Sequence, residues 1–330
     1  METLESALRE IKRRYHHKSY LNSDPISFVH LYQDPWDQEA VAVVAALLAY
    51  GKVSQIRHSI RSLLTLMERM SQSPAYFVRG LQNPVFAKKA QRQMTKLYHR
   101  FNSGEDLFQL LKLISNLWES DGSVGGYFTK FIRAKDMTIE SGLNHAIIEL
   151  KKRTKGSVSP SFNFFLNQPS DGSCCKRWCM LFRWMGRRDA IDLGLWTQSG
   201  PFHRVMNWAS SVEPRQLMMP VDTHIGRLSR LIGLTQRKTM NWQATVQITQ
   251  AMRQISEHDP VEFDFSLCRL GITSFCQNRF VHQICSSCEL QPVCVLGSNS
   301  SSQTLPMKGG SDLSLSTGTQ ISYTPAKETT

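Results

Sequence analysis

The chain has 330 residues and a mass of 37.7 kDa, room for one large domain or two ordinary ones. With 41% hydrophobic and 20% charged residues its composition is globular, which excludes a disordered or fibrous chain. Thirty-nine Lys and Arg against 27 Asp and Glu leave a formal charge of +12 and a pI near 9.4, a balance that favours polyanions such as DNA, RNA or an anionic membrane surface.

The N-terminus, METLESALREIKRRYHH, carries no apolar signal region, so the expected location is the cytoplasm. Asp24-Pro25 and Asp34-Pro35 mark breaks. The longest apolar run, residues 40–50, has the length of a core helix and not of a membrane span, and no membrane partner is expected. It closes on Tyr50-Gly51-Lys52, which reads as a helix C-cap with the glycine just past the last turn. Residues 54–70 place Ile56, Ile60, Leu63, Leu64 and Met67 on one stripe and leave Arg57, His58, Arg61 and Arg69 largely off it. Breaks follow at residues 121–126 (DGSVGG) and 167–173 (NQPSDGS), with a solvated basic run at 151–155 (KKRTK) between them. Strand-like alternation is nearly absent and no internal repeat is present.

All eight cysteines lie in the second half. Cys174, Cys175 and Cys179 stand at helical spacing among Trp178, Met180, Leu181 and Phe182 and read as small buried apolar residues, as does Cys268. Trp178, Trp184, Trp196 and Trp208 read as core. In MMPVDTHIGRLSRLIGL, residues 218–234, Asp222 N-caps a helix whose apolar face is Ile225, Leu228, Leu231 and Ile232, with Arg227 and Arg230 on the exposed face. Such a cap contributes about 1 kcal/mol without any chemistry, and His224 reads as its local hydrogen-bonding neighbour. Residues 241–255 form a further amphipathic helix, and Asp259-Pro260 breaks the chain again.

Cys276, Cys285, Cys288 and Cys294 then give C-x8-C-x2-C-x5-C. The C-x2-C pair lets two thiolates of one turn face the same centre, and four thiolates in so short a span suit a [4Fe–4S] cluster. Zinc and unliganded thiols are the alternatives. Residues 297–330, rich in Ser, Thr, Gly and Gln, lack the apolar content to offset chain ordering. The expected organisation is a helical domain over 1–296 and a disordered tail over 297–330.

An aspartate-led helix behind V-D-T-H, another helix and a four-cysteine loop make an order that resembles the endonuclease III-like, helix-hairpin-helix DNA glycosylases. There V-D-T-H supplies the catalytic aspartate, and many bacterial members end in a C-x6-C-x2-C-x5-C iron–sulfur loop; the first gap here is two residues longer. Over most of residues 20–275, the blocks SDPISFVHLYQDPWDQEAVAVVAALLAYGKVSQI, CKRWCMLFRWMGRRDAIDLGLW, PVDTHIGRLSRLIGL and DPVEFDFSLCRLGI are similar to an uncharacterised bacterial family, a domain of unknown function remotely related to those glycosylases.

The resemblance implies an all-α, two-lobed fold. The N-terminal helices and the cysteine loop form one lobe, the middle helices through the Asp222 helix the other, and DNA binds in the basic cleft between. It implies a monomeric DNA repair glycosylase that flips a damaged base out of double-stranded DNA. Asp222 is the implied catalytic carboxylate, stabilising the cation that develops on the sugar or deprotonating the attacking nucleophile. Bifunctional members add a hairpin lysine, in L-P-G-V-G-x-K, that attacks C1′ and forms a Schiff base, giving abasic-site lyase activity. Aligned on DGSCCKRWCMLF (171–182), Gly172 takes the first glycine and Lys176 the lysine. Cys174 replaces the second glycine, and residues 185–218 are looped out as an insertion. The rival reading of Lys176 is a solvated residue that starts a helix.

The hairpin holds a DNA phosphate with glycine amides, so Gly172 is an implied DNA contact. Arg177, Arg183, Arg187 and Arg188 surround it, and Arg227 adds charge on the Asp222 helix. Tyr50 or Lys52 is the implied wedge that fills the space left by the flipped base. Two other functions stay open: a non-catalytic iron–sulfur nucleic-acid binder that keeps the fold, and an RNA-directed protein.

Overall fold

The computed structural model describes residues 2–206, 208, 210–272 and 276–298; residues 299–330, nearly all of the expected tail, lie outside the described residues. In chain order the helices are α1 (Glu2–Tyr15), α2 (Pro35–Leu47), α3 (Val53–Met70), α4 (Pro74–Gly80) and α5 (Pro84–Met94). A two-residue hairpin, β1 (Tyr98–His99) and β2 (Asn102–Ser103), separates these from α6 (Gly104–Asp121), α7 (Val124–Thr129) and α8 (Glu140–Thr154). Then come α9 (Lys176–Gly186), α10 (Pro201–Met206), α11 (Thr223–Leu231), α12 (Trp242–Arg253) and α13 (Asp264–Ile272), and last the short α14 (His282–Cys285) and α15 (Val295–Ser298). Among the described residues no helix is long and apolar enough to cross a membrane.

The helix starts are written in the sequence. Asp34 accepts from the amides of Trp36 (2.9 Å) and Asp37 (3.2 Å) with Pro35 at the first helical position, so α2 begins where the Asp-Pro break stood. Ser103 and Asp106 form a capping box at α6, and Asn241 caps α12. Helix α2 is apolar on every side and lies in the interior, with α4, α6 and α9 packed around it. Its one fully buried charge, Glu39, is held by four donors: Trp118 Nε1 and the Val124 amide on Oε2, Trp196 Nε1 and the Gly125 amide on Oε1, at 2.7–3.1 Å. Burial pushes this carboxyl upward, while the amides of Gly125 and Val124 and the two indoles pull it back.

Trp196 belongs to residues 185–218, expected as a looped-out insertion. The structure corrects that reading: Ile191, Trp196, Val212 and Leu217 are buried, because the segment returns its side chains to the core around Glu39. Helix α1 packs on α13, and so does α11, so α13 joins the N-terminal helix to the Asp222 helix. The apolar core runs without a break from Ala7 to Leu290, through both groups of helices.

Candidate nucleic-acid interface

Two segments far apart in sequence meet at Tyr50. The chain leaves α2 through Leu48 and Ala49 and turns at Gly51, whose φ of +99° favours glycine. A Cβ there would stand 2.8 Å from Arg100 Cδ. Arg177, in the first turn of α9, reaches back to this corner. Its Nη1 donates to Leu47 O (2.9 Å), an end carbonyl of α2, and its Nη2 donates to Phe164 O and, at 3.4 Å, to Asn167 Oδ1. Its guanidinium lies 5.3 Å from the Tyr50 ring centroid and 4.0 Å from that of Phe164. Tyr50 OH donates to Asn102 Oδ1, and burial pushes the phenol up to about 12. Beneath it, His99 Nε2–H donates to Tyr50 O at 3.1 Å, while burial pulls the imidazole below its ordinary value. Lys52 is exposed beside the turn.

The hairpin segment departs from its expected geometry in two places. Gly172 takes a left-handed conformation (φ +75°), but its amide donates to Pro169 O (2.9 Å), closing a 3-10 turn and not facing outward. The second left-handed residue is Cys175 (φ +46°), buried, and not Cys174. Burial pushes the Cys175 thiol up to about 12. Lys176 follows as the half-buried first residue of α9.

Asp222 is the N-cap of α11, as its position after Pro220 required. Its Oδ1 accepts from the amides of His224 (2.9 Å) and Ile225 (2.8 Å), and Oδ2 receives no hydrogen bond from a described residue. The carboxylate is half-buried and faces α13: its charge adds to the burial that raises Asp264, to about 6, and Cys268, to about 12. His224 packs on Gly271 of α13, where a Cβ would stand 2.8 Å from its own Cβ. Helix α12 bonds to the segments that precede the two candidate catalytic residues. Thr245 Oγ1 donates to Cys174 O (3.4 Å), two residues before Lys176, and Thr249 Oγ1 accepts from the Met219 amide (3.0 Å), three residues before Asp222.

Three arginines expected around the hairpin are interior residues instead. Arg177 is 4% exposed and occupied by carbonyls, and burial pulls its guanidinium down to about 10. Arg183 bonds Asp264 and Asp192; Arg187 bonds Asp192 (2.6 Å), Asp259 (2.7 Å) and Asp189 (2.8 Å). Burial opposes these charges, but the facing carboxylates outweigh it and hold both arginines above their ordinary value. Arg188 is exposed, but it lies beyond the far end of α9, whose length from Lys176 to Gly186 is about 15 Å at 1.5 Å per residue. Arg227 is half-buried, with Nε and Nη2 shielded from solvent and unpartnered among the described residues.

Cys276, Cys285, Cys288 and Cys294 line one apolar cavity whose opposite wall is Leu228, Leu231 and Ile232 of α11 and Leu270 of α13. All four are half-buried. Among the described residues no three His, Cys, Asp or Glu side chains are grouped tightly enough to hold a single metal ion. Four thiols lining one space are a donor set of the kind that an iron–sulfur cluster takes, and zinc as well. The loop is tied to α1 by Arg14–Glu289 (2.7 Å).

Sequence reading missed the Arg–Asp network, whose members are scattered from Asp24 to Arg269 and converge only in the fold. It also passed over the cations of α5, although Lys88, Lys89 and Arg92 stand at helical spacing. A family model described as "Protein of unknown function (DUF2400)" matches residues 24–273. No curated protein and no solved structure matches the chain.

Proposed function

The chain belongs to this family of unknown function, DUF2400, and we propose that it is a DNA repair glycosylase of the helix-hairpin-helix type with abasic-site lyase activity. The observation that carries the reading is the Asp222 carboxylate. Two backbone amides hold one oxygen, and the other accepts no hydrogen bond from a described residue, half-exposed at a helix N-terminus. As the base departs with the electron pair of the C1′–N bond, positive charge grows on the sugar, and a fixed anion there lowers the barrier. With Lys176 as nucleophile, its neutral amine bonds to C1′ and loses a proton to Asp222. Ring opening gives a protonated imine. Loss of a C2′ proton then expels the 3′ phosphate and breaks the strand. Tyr50, braced by Arg177 and Asn102, is the wedge beside the flipped base.

Cys276, Cys285, Cys288 and Cys294 would hold a [4Fe–4S] cluster. Bound there, it supplies a cross-link that fixes residues 276–294 against the helix that Asp222 caps. A non-catalytic binder is the second reading, favoured by one feature: the Gly172 amide is already committed to Pro169. A panel of duplexes, each with one damaged base, separates the two readings. The enzyme reading expects alkali-labile sites from the wild type and none from Asp222→Asn, with duplex affinity kept. A binder makes no such sites on any member.

A further inference from the structure

Helices α3 and α5 pack side by side, and a trench runs between them in three adjoining sections. The middle section, about 730 Å³, is lined by Arg61, Arg69, Arg92 and Lys96. Through Arg92 it opens into a section of about 510 Å³ with Lys88 and Lys89. Through His58 and Lys96 it opens the other way, into one of about 300 Å³ that ends at Tyr98 and Arg100. No Asp or Glu lines any section. All of these cations are exposed, and none forms an ion pair with a described residue. Solvated surface cations are ordinarily interleaved with carboxylates, so an uninterrupted row in a concavity focuses a positive potential.

The trench leads to aromatics. Arg100 lies against Gly51 and 5.9 Å from the Tyr50 ring centroid. Beyond it Tyr98 is 73%, Phe101 54% and Phe164 39% exposed, with Phe101 and Phe164 in edge contact at 4.9 Å. Exposed rings at the end of a cationic track are the two components that bind unpaired nucleic acid: charge for the backbone, flat faces for the bases.

We propose that the α3–α5 trench is a binding track for a single nucleic-acid strand, running from Lys88 to the aromatic corner at Tyr50. The exposed rings favour one strand over a duplex, because paired bases are stacked inside the helix and offer no free face. From Ser54 to Arg69, α3 is about 22 Å long at 1.5 Å per residue, room for several phosphates of one strand. An anionic membrane fits less well, because a surface-lying helix needs an exposed apolar face, and Ile56, Ile60, Leu63 and Met67 of α3 are buried. The track meets the proposed base-excision machinery only at Tyr50, and Arg61, Arg92, Lys96, Tyr98 and Phe101 take no part in that machinery.

The test is fluorescence anisotropy of the full chain with a labelled single-stranded oligonucleotide of about 20 nucleotides, longer than the track, across a salt series. Arg61→Glu/Arg92→Glu/Lys96→Glu weakens binding at least about tenfold and makes the salt slope shallower by about two, at 0.7 per lost phosphate contact. The charge-matched control Lys135→Glu/Lys152→Glu/Lys155→Glu changes both far less. Tyr98→Ala/Phe101→Ala weakens binding with the slope unchanged, and Asp222→Asn leaves affinity intact. Equal loss in the control overturns the proposal, since net charge alone would then explain binding. It is also overturned if the wild type prefers a matched duplex, or if the trench variant loses affinity only for phosphatidylserine vesicles. Circular dichroism melting checks the fold, and Arg61→Gln/Arg92→Gln carries the same prediction at smaller size should charge reversal unfold the chain.

Discussion

Arg177 Nη1 donates to Leu47 O at 2.9 Å, so the first turn of α9 is fastened to the last turn of α2 by a buried cation that has no carboxylate partner among the described residues. The charge is carried by carbonyl dipoles and two aromatic faces, and this contact holds the Tyr50 corner against the segment before Lys176. Had Arg177 been a phosphate contact, its loss would weaken DNA binding and spare the fold. Its position predicts the reverse order. Arg177→Ala strands buried carbonyls and costs about 3 kcal/mol, read as a lower urea midpoint, with weaker DNA binding only as a consequence of the loosened corner.

Acid should act on the same corner through His99. Burial holds its folded pKa below the unfolded value of about 6.5, so the neutral ring that donates to Tyr50 O is the native form. As pH falls through 6.5 the unfolded chain takes up a proton that the folded one refuses, and stability drops. The contribution is fully present above that value and lost below it. Urea midpoints between pH 8 and 5 should fall for the wild type and fall less for His99→Asn, which keeps hydrogen bonds without titrating.

Glu39 is the polar centre of the core. Each of its oxygens receives two N–H donors, so an amide in its place sets an NH2 group against two of them whichever way it turns. Glu39→Gln is expected to cost about 2–4 kcal/mol, measured by urea titration of tryptophan fluorescence. A neutral result would mean that the indoles of Trp118 and Trp196 find other acceptors.

The Asp222 helix was legible because its cap is local: Asp222 accepts from amides two and three residues ahead, and such a signal survives in a linear string. The cap at Ser103 is equally local but was not read. The four-cysteine loop was legible because its spacing is local too. The roles of Arg177, Arg183 and Arg187 were not, because a basic residue near a turn looks the same in sequence whether it faces solvent or reaches across the core. Residues 185–218 misled in the other direction. Irregular backbone resembles an insertion until Trp196 is seen to cross to Glu39.

The cysteine loop predicts a coloured protein. Purified without oxygen, the chain should carry about four irons with broad visible absorbance. Cys288→Ser should lose most of the iron and the colour, and lower the thermal midpoint, because Leu228 and Leu231 lose the wall opposite them. Stoichiometric zinc with no iron would contradict the cluster.

Borohydride trapping on a duplex with one abasic site tests the chemistry most directly, since it needs no knowledge of the damaged base. The account predicts a covalent protein–DNA adduct with wild type, none with Lys176→Ala, and a reduced yield with Asp222→Asn at unchanged binding. No wild-type adduct would contradict the lyase, and an adduct that survives Lys176→Ala would contradict the placement of the nucleophile at the head of α9.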